Sequence, residues 1–289
     1  MLIPEDNFHE EHKGNGDGEL INRTLPGERD LYIIMALTVL MMFFVSQPLY
    51  NMLGSASYFI VELLLLFPVM MFLIDKKFKW KTVLRLNGIP KDLILVSILI
   101  GISLAILSDE LDRIIAIFYK MPEEVNTAIA EGLVIDNFKD FVLIGFGVVI
   151  VAGLAEEALF RGFFQRTLEK HRGVTSAVTT TSIVFALVHI NPWWIIQIIL
   201  LAMILGVLAW RSDSIVPGII IHAINNGLGL WSVNTEFENL PFYTFKGHVS
   251  PLFLLPALFV MIWSMKRFFS LTESLHPEEE VDHEIEETV

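Results

Sequence analysis

The sequence predicts an all-α membrane protein, with about eight transmembrane helices in one bundle around a polar interior cavity. Three observations predict it. Hydrophobic residues make up 54% of the 289 positions, and the mean hydropathy is +0.59, above the composition of an ordinary soluble domain. The apolar residues are gathered into blocks of roughly 16–22, the helix length that crosses a ~30 Å hydrocarbon layer. A small set of ionisable residues lies inside those blocks, where each costs about 2.5–3.5 kcal/mol to insert and is a functional candidate by default.

Taken in order, residues 1–30 are polar, glycine-bearing and aperiodic, and read as a flexible tail rather than a signal peptide. Apolar spans follow at about 31–50, 55–74 and 92–108. The segment 109–136 has helical apolar spacing (Leu111, Ile114, Ile115, Phe118) and is expected along the outer membrane interface. Residues 31–136 thus form an N-terminal part, three spans and the interfacial segment. A central helical core, 137–235, holds spans at 138–160, 174–190, 193–210 and 216–233, the first of them continuing as a helix to about His171. Trp193 and Trp194, after Pro192, read as interfacial anchors at a turn. Residues 236–268 supply an outer loop and a last span at 250–266, and 269–289 an acidic, disordered tail. No internal repeat is visible, so the inverted-repeat mark of many transporters is missing.

The net charge is −13, and much of it sits in the last stretch, "TESLHPEEEVDHEIEETV". The loops tell more. "DKKFKWKTVLRLNGIPK" after the second span, "RTLEKHR" after the fourth and "MKR" after the eighth are basic, whereas the segments after the third and seventh are acid-rich. By the positive-inside rule this gives a multi-pass protein of the cell membrane with both termini cytoplasmic. The short loops and the lack of cysteine suggest a bacterial membrane. With no cysteine, disulfides, thiolate catalysis, Cys-ligated metals and lipidation of this chain at cysteine are excluded. The expected partners begin with the lipid bilayer and include no nucleic acid.

The intramembrane polar set is Glu62, Glu156, Glu157, Arg161, His189 and His222, with Asn225 and Asn226 nearby. Residues four apart share a helix face. Glu157 and Arg161 have that spacing, so they pair along one helix as a structural support. Glu156 is rotated from Glu157 by about 100° and has no partner of its own. His222 and Asn226 share a face of the seventh span, and Phe185 and His189 repeat the spacing on the fifth. Three helices can therefore project Glu156, His189 and the His222/Asn226 pair into one interior pocket. Counted from the span ends, Glu156 and His189 lie deeper than His222. Glu62, alone in "FIVELLLLFP", reads as a packing or water-contacting carboxylate. "HEEH" at 9–12 lacks the HExxH spacing and "NRT" at 22–24 lies in a tail, so both are taken as chance.

"EEALFR" fits the pattern EExxxR, "FALVH" fits FxxxH and "HAINN" fits HxxxN. In that order on successive core helices they resemble the CPBP family, the CAAX-type proteases and bacteriocin-processing or immunity proteins also called the Abi family. The resemblance covers about 138–233 and includes "RGFFQRTL" and "SIVPGIIIHA". It implies an intramembrane endopeptidase, an eight-helix bundle with a conical cavity open to the cytoplasmic side, that hydrolyses a peptide bond of a membrane-associated protein or peptide. Carried over by residue, the catalytic set is Glu156, His189, His222 and Asn226, with Glu157 and Arg161 as supports. Glu156 is the expected base for water, His189 orients that water, and His222 with the Asn226 amide stabilises the oxyanion.

Glu156, His189 and His222 also make the two-His, one-carboxylate set of a catalytic zinc site. That use would leave no free base, so a metal-free glutamate mechanism stands beside a divalent metal such as zinc. Two other function classes use the same residues differently. A non-proteolytic membrane scaffold or bacteriocin-immunity protein would not need Glu156, and a proton-coupled transporter would be expected to show repeats or broken helices.

Overall fold

The computed structural model describes residues 25–235 and 242–275. The two short motifs weighed above, "HEEH" and "NRT", and the tail from residue 276 onwards lie outside the described residues.

The described chain is helical almost throughout. Helix α1 (Glu28–Leu53) opens on two acidic residues, Glu28 and Asp30, which suit a helix N-terminus. It ends at Gly54, whose φ of 56° no side-chain-bearing residue adopts without strain. Then come α2 (Ala56–Asp75), a short helix α3 (Trp80–Val83), α4 (Lys91–Phe118), α5 (Glu123–Gly132) and the long α6 (Phe138–Arg172). Gly173, at φ 75°, breaks the chain between α6 and α7 (Val174–Val188). Helices α8 (Ile195–Ser212), α9 (Val216–Val233) and α10 (Pro251–Thr272) complete the bundle. The strands β1 (Thr244–Phe245) and β2 (His248–Val249) form a two-residue antiparallel ladder before α10.

Six of these stretches are long and apolar enough to cross a membrane: α1, α2, α4, α6, α8 and Pro251–Leu275. Helix α7 is apolar but has 15 residues, and α9 has 18. This fits a multi-pass membrane protein.

Two expectations are corrected. The interfacial segment 109–136 is not one piece. Residues through Phe118 belong to α4, and only α5 is a separate helix, because Tyr119 is the first residue to leave the helical run. The acidic tail does not begin at 269, since α10 runs to Thr272 and a 3₁₀ turn carries it to Leu275. Phe268 and Thr272 are wholly buried, which holds that last stretch in the bundle.

Two buried apolar clusters fill the interior. One joins Leu31, Leu73, Leu84, Phe163, Leu168 and Phe185. The other joins Val96, Ile100, Leu205, Leu208, Ile221 and Phe268. The segment around this ladder is tied by polar contacts to α4. Tyr243 Oη donates to Asp109 Oδ2 at 2.7 Å, and Glu110 takes both His248 Nδ1 (2.8 Å) and the Val249 N–H (2.7 Å). The candidate residues lie where the two clusters meet, since Phe185 belongs to one and Ile221, beside His222, to the other.

Candidate active site

Helix α6 is not uniform. Phe141–Val151 and Ala158–Gln165 have the wider π-type turn, and the α-helical stretch Ala152–Glu157 between them carries both glutamates. Such wide turns concentrate at functional sites. Glu157 and Arg161 are both fully buried. Arg161 Nη1 lies 2.9 Å from Glu157 Oε1, as their spacing predicted. The same Oε1 lies 3.2 Å from His222 Nδ1. A carboxylate only accepts, so Nδ1 carries a proton, and in the neutral form of the ring the lone pair is at Nε2.

His189 reaches the same state by another route. It follows the last residue of α7, and Ile190 after it turns into the left-handed region at φ 52°. His189 Nδ1 lies 2.7 Å from the Phe185 carbonyl oxygen, again an acceptor only, so Nε2 is the free nitrogen. Both free nitrogens point to one atom. His222 Nε2 is 3.8 Å and His189 Nε2 3.9 Å from Glu156 Oε2. That oxygen is buried and has no hydrogen-bond partner in the protein.

The three residues that sequence counting set at different depths are therefore level. The reason lies at the start of α9, where Ser214 and Ile215 are wholly buried. Helix α9 thus begins inside the bundle, not at its surface.

Asn226 shares α9 with His222, and its Nδ2 donates to the Val148 carbonyl at 2.9 Å. An amide nitrogen has two hydrogens, so one donor remains. Glu62, read from sequence as a packing carboxylate, lies close enough to Glu156 for their charges to interact. Phe185 was seen only as a motif position, yet it organises the site. Its ring lies 4.6 Å from the His189 ring and 6.1 Å from the His222 ring. The Arg161 guanidinium sits over it at 4.3 Å, a favourable cation–π arrangement in a dry place. Spacing alone could not show this, because the contacts join three helices.

Two cavities lie away from these residues. One of about 530 Å³ is bounded by Arg172, Gly173, Thr175 and Thr179. Another of about 100 Å³ lies at Asp112, Tyr119, Trp193 and Trp194. Neither is lined by the candidate residues.

The donor types around Glu156 suit a metal, but their placement does not. Among the described residues no group of three or more His, Asp or Glu side chains is arranged to hold a metal ion. The 3.8 and 3.9 Å separations exceed the roughly 3.3 Å between donors bound at about 2.05 Å in a tetrahedral zinc site.

Residues 138–228 match the family described as type II CAAX prenyl endopeptidase Rce1-like. That stretch is less than half of the chain, and it holds all of Glu156, Glu157, Arg161, His189, His222 and Asn226. It agrees with the resemblance carried by the three motifs. No curated protein and no solved structure matches the chain.

Proposed function

With the stretch 138–228 as an Rce1-like core, we propose that the protein is an intramembrane endopeptidase that hydrolyses a peptide bond of a membrane-associated protein or peptide. The observation that carries this reading is the convergence of two imidazole Nε2 atoms on the unpartnered, buried Glu156 Oε2. Three acceptors facing one space call for an occupant that donates hydrogens, and water is the smallest. The bundle is read as eight spans with both termini on the cytoplasmic side, and the site as open to a substrate chain on one flank, where the His189 side chain is one-third exposed (33%).

In the proposed reaction Glu156 takes a proton from water, and the hydroxide attacks the substrate carbonyl carbon. His189 Nε2 accepts the second hydrogen of that water and fixes its direction. The carbonyl oxygen becomes an oxyanion, met by the free Asn226 amide hydrogen and by His222, whose Nε2 shares with Glu156 Oε2 the proton taken from the water. Glu157, paired with Arg161, stabilises the imidazolium by accepting from its Nδ1. The proton held by Glu156 then passes to the leaving nitrogen as the C–N bond breaks. The products are a carboxylate and an amine.

A second reading keeps the residues and changes the occupant. Glu156, His189 and His222 would hold a divalent metal such as zinc, which would supply a Lewis acid and an acidified water. The side-chain spacing favours the metal-free reading, and no step is built on the metal.

The test compares cells that make equal amounts of wild type and Glu156→Gln protein. New peptide termini among membrane proteins and secreted peptides, seen by mass spectrometry only with wild type, are expected. Identical terminus profiles together with a cellular phenotype kept by the variant would turn the reading towards a scaffold. Metal content of the purified active protein separates the two hydrolytic readings.

A further inference from the structure

The connector between α2 and α4 was read from its sequence as a basic cytoplasmic loop. Its centre is not at the surface. Val83 is 0%, Leu84 3% and Arg85 3% exposed. Arg85 has φ 51°, a region that a residue with a Cβ occupies when its surroundings hold it there.

Those surroundings are polar and come from two site-bearing helices. The Arg85 guanidinium meets both carboxylate oxygens of Glu169 on α6, Nη1 to Oε1 at 3.0 Å and Nη2 to Oε2 in closer contact. Nη1 also donates to the Arg161 carbonyl at 3.3 Å, and Nε to Asp213 Oδ1 at 3.2 Å. The Arg85 carbonyl accepts from the Ile215 N–H at 3.1 Å, one residue before α9. The partners are themselves fixed. Gln165 Nε2 donates to Glu169 Oε1 at 2.8 Å, and Arg166 to Asp213 Oδ1 at 2.6 Å. Packing agrees with the bonds, because a Cβ on Gly162 would lie 2.7–2.9 Å from the Leu84 backbone.

We infer that Arg85 is a positioning residue of the catalytic site, which locks α6 against the start of α9 and so sets Glu156 and Glu157 against His222. The inference rests on the hydrolase reading for its catalytic consequence. The two holds are short. Arg161 is one turn beyond Glu157, and Ile215 is two turns, about 10 Å of helix, before His222. A rotation or slide at either point passes directly to a site whose contacts are 3.2 to 3.9 Å long. The planar fork of arginine serves Glu169, Asp213 and a carbonyl together. A lysine ammonium, a single point charge, cannot match that geometry.

The test uses the full chain reconstituted in vesicles, as wild type, Arg85→Lys, Glu169→Gln and Lys81→Ala. Lys81 is an exposed residue of the same loop and serves as the control. On a cleaved membrane substrate, Arg85→Lys is expected to lower kcat per folded molecule about 10- to 100-fold with KM nearly unchanged. Glu169→Gln should reproduce the effect from the other side, and Lys81→Ala should act like wild type. An unchanged kcat per folded molecule in both clamp variants, with loss confined to the folded fraction, overturns the inference.

A second readout needs no cleavage. The chain has no cysteine, so Lys170→Cys with Leu228→Cys places one spin label on α6 and one on α9. The clamp variants should shift or broaden the distance distribution between them, and a distribution identical to wild type overturns the inference. Absence of Glu156-dependent cleavage would remove the hydrolase reading, while the distance measurement would still decide whether Arg85 fixes the two helices.

Discussion

Glu157 serves two groups from one oxygen: Arg161 Nη1 at 2.9 Å and His222 Nδ1 at 3.2 Å. Half of that was legible in the sequence, because i, i+4 spacing on one helix predicts the Arg161 pair. The other half was not, because it crosses to α9. The consequences differ for stability and activity. Glu157→Gln leaves a guanidinium buried without its counter-charge, which costs about 3–5 kcal/mol. The double variant Glu157→Leu/Arg161→Leu removes both charges and should melt at a higher temperature than the single one. Neither should retain more than a small part of the activity, since the double variant removes the acceptor of His222 Nδ1 and both variants remove the negative charge that stabilises its imidazolium. Thermal unfolding in detergent beside a cleavage assay separates the effects, and a single variant as stable as wild type would contradict the ion pair. Asn226→Ala should lower kcat by about 10²–10³-fold with little change in melting, as expected for loss of an oxyanion donor. Asn226 was found by its HxxxN spacing, but its bond to the Val148 carbonyl was not foreseeable. The acceptor lies in one of the wide turns of α6, which leave no mark on apolar patterning.

Two glycines show how helices set the site at the scale of the element. Gly162 on α6 faces the Leu84 backbone, whereas Gly218 on α9 faces the Glu157 carboxylate, whose Oε2 would be struck by an added Cβ. Backbone cannot step aside and a side-chain end can, so the two alanine substitutions should part company. Gly162→Ala is expected to destabilise by about 1–3 kcal/mol through overpacking, seen as a lower melting temperature. Gly218→Ala should cost less stability but displace Glu157, and so reduce kcat. A Gly162→Ala protein with wild-type melting would show that the loop does not dock on α6 as described. Element lengths were legible where an apolar block ended on a charge or a glycine, as at Gly54 and Gly173. They were misread at Asp109 and Glu110, which interrupt hydropathy without interrupting α4. Asp109 pairs with Arg113 one turn on and accepts from Tyr243, and Glu110 takes His248 and the Val249 N–H, the last three far away in sequence.

For the whole molecule, charge in the loops gave an orientation, and the chain offers a clean check of it. With no native cysteine, a single Lys77→Cys or Lys170→Cys should react with a membrane-impermeant maleimide only from the cytoplasmic side. Glu124→Cys in α5 should react only from the other side. Labelling of all three from one side would overturn the topology. The general architecture was readable because bilayer thickness imposes a block length on the sequence. The clamp at Arg85 was not, because counting Lys and Arg in a loop treats every cation as solvated, and this one is buried.

The order in which the polar residues leave the ribosome has a consequence of its own. Glu157 and Arg161 are made within four residues of each other and neutralise one another inside a single helix, so α6 can enter the bilayer already paired. Glu156 has no such companion on its helix, and His189 and His222 are still unsynthesised when it arrives. Its surroundings are completed only when α9 has been threaded into place. A nascent chain truncated before that point would hold the carboxylate without His222, and one truncated before the end of α7 would hold it without either imidazole. In biosynthesis the proposed hydrolytic centre is thus assembled late, after most of its own membrane domain has been laid down.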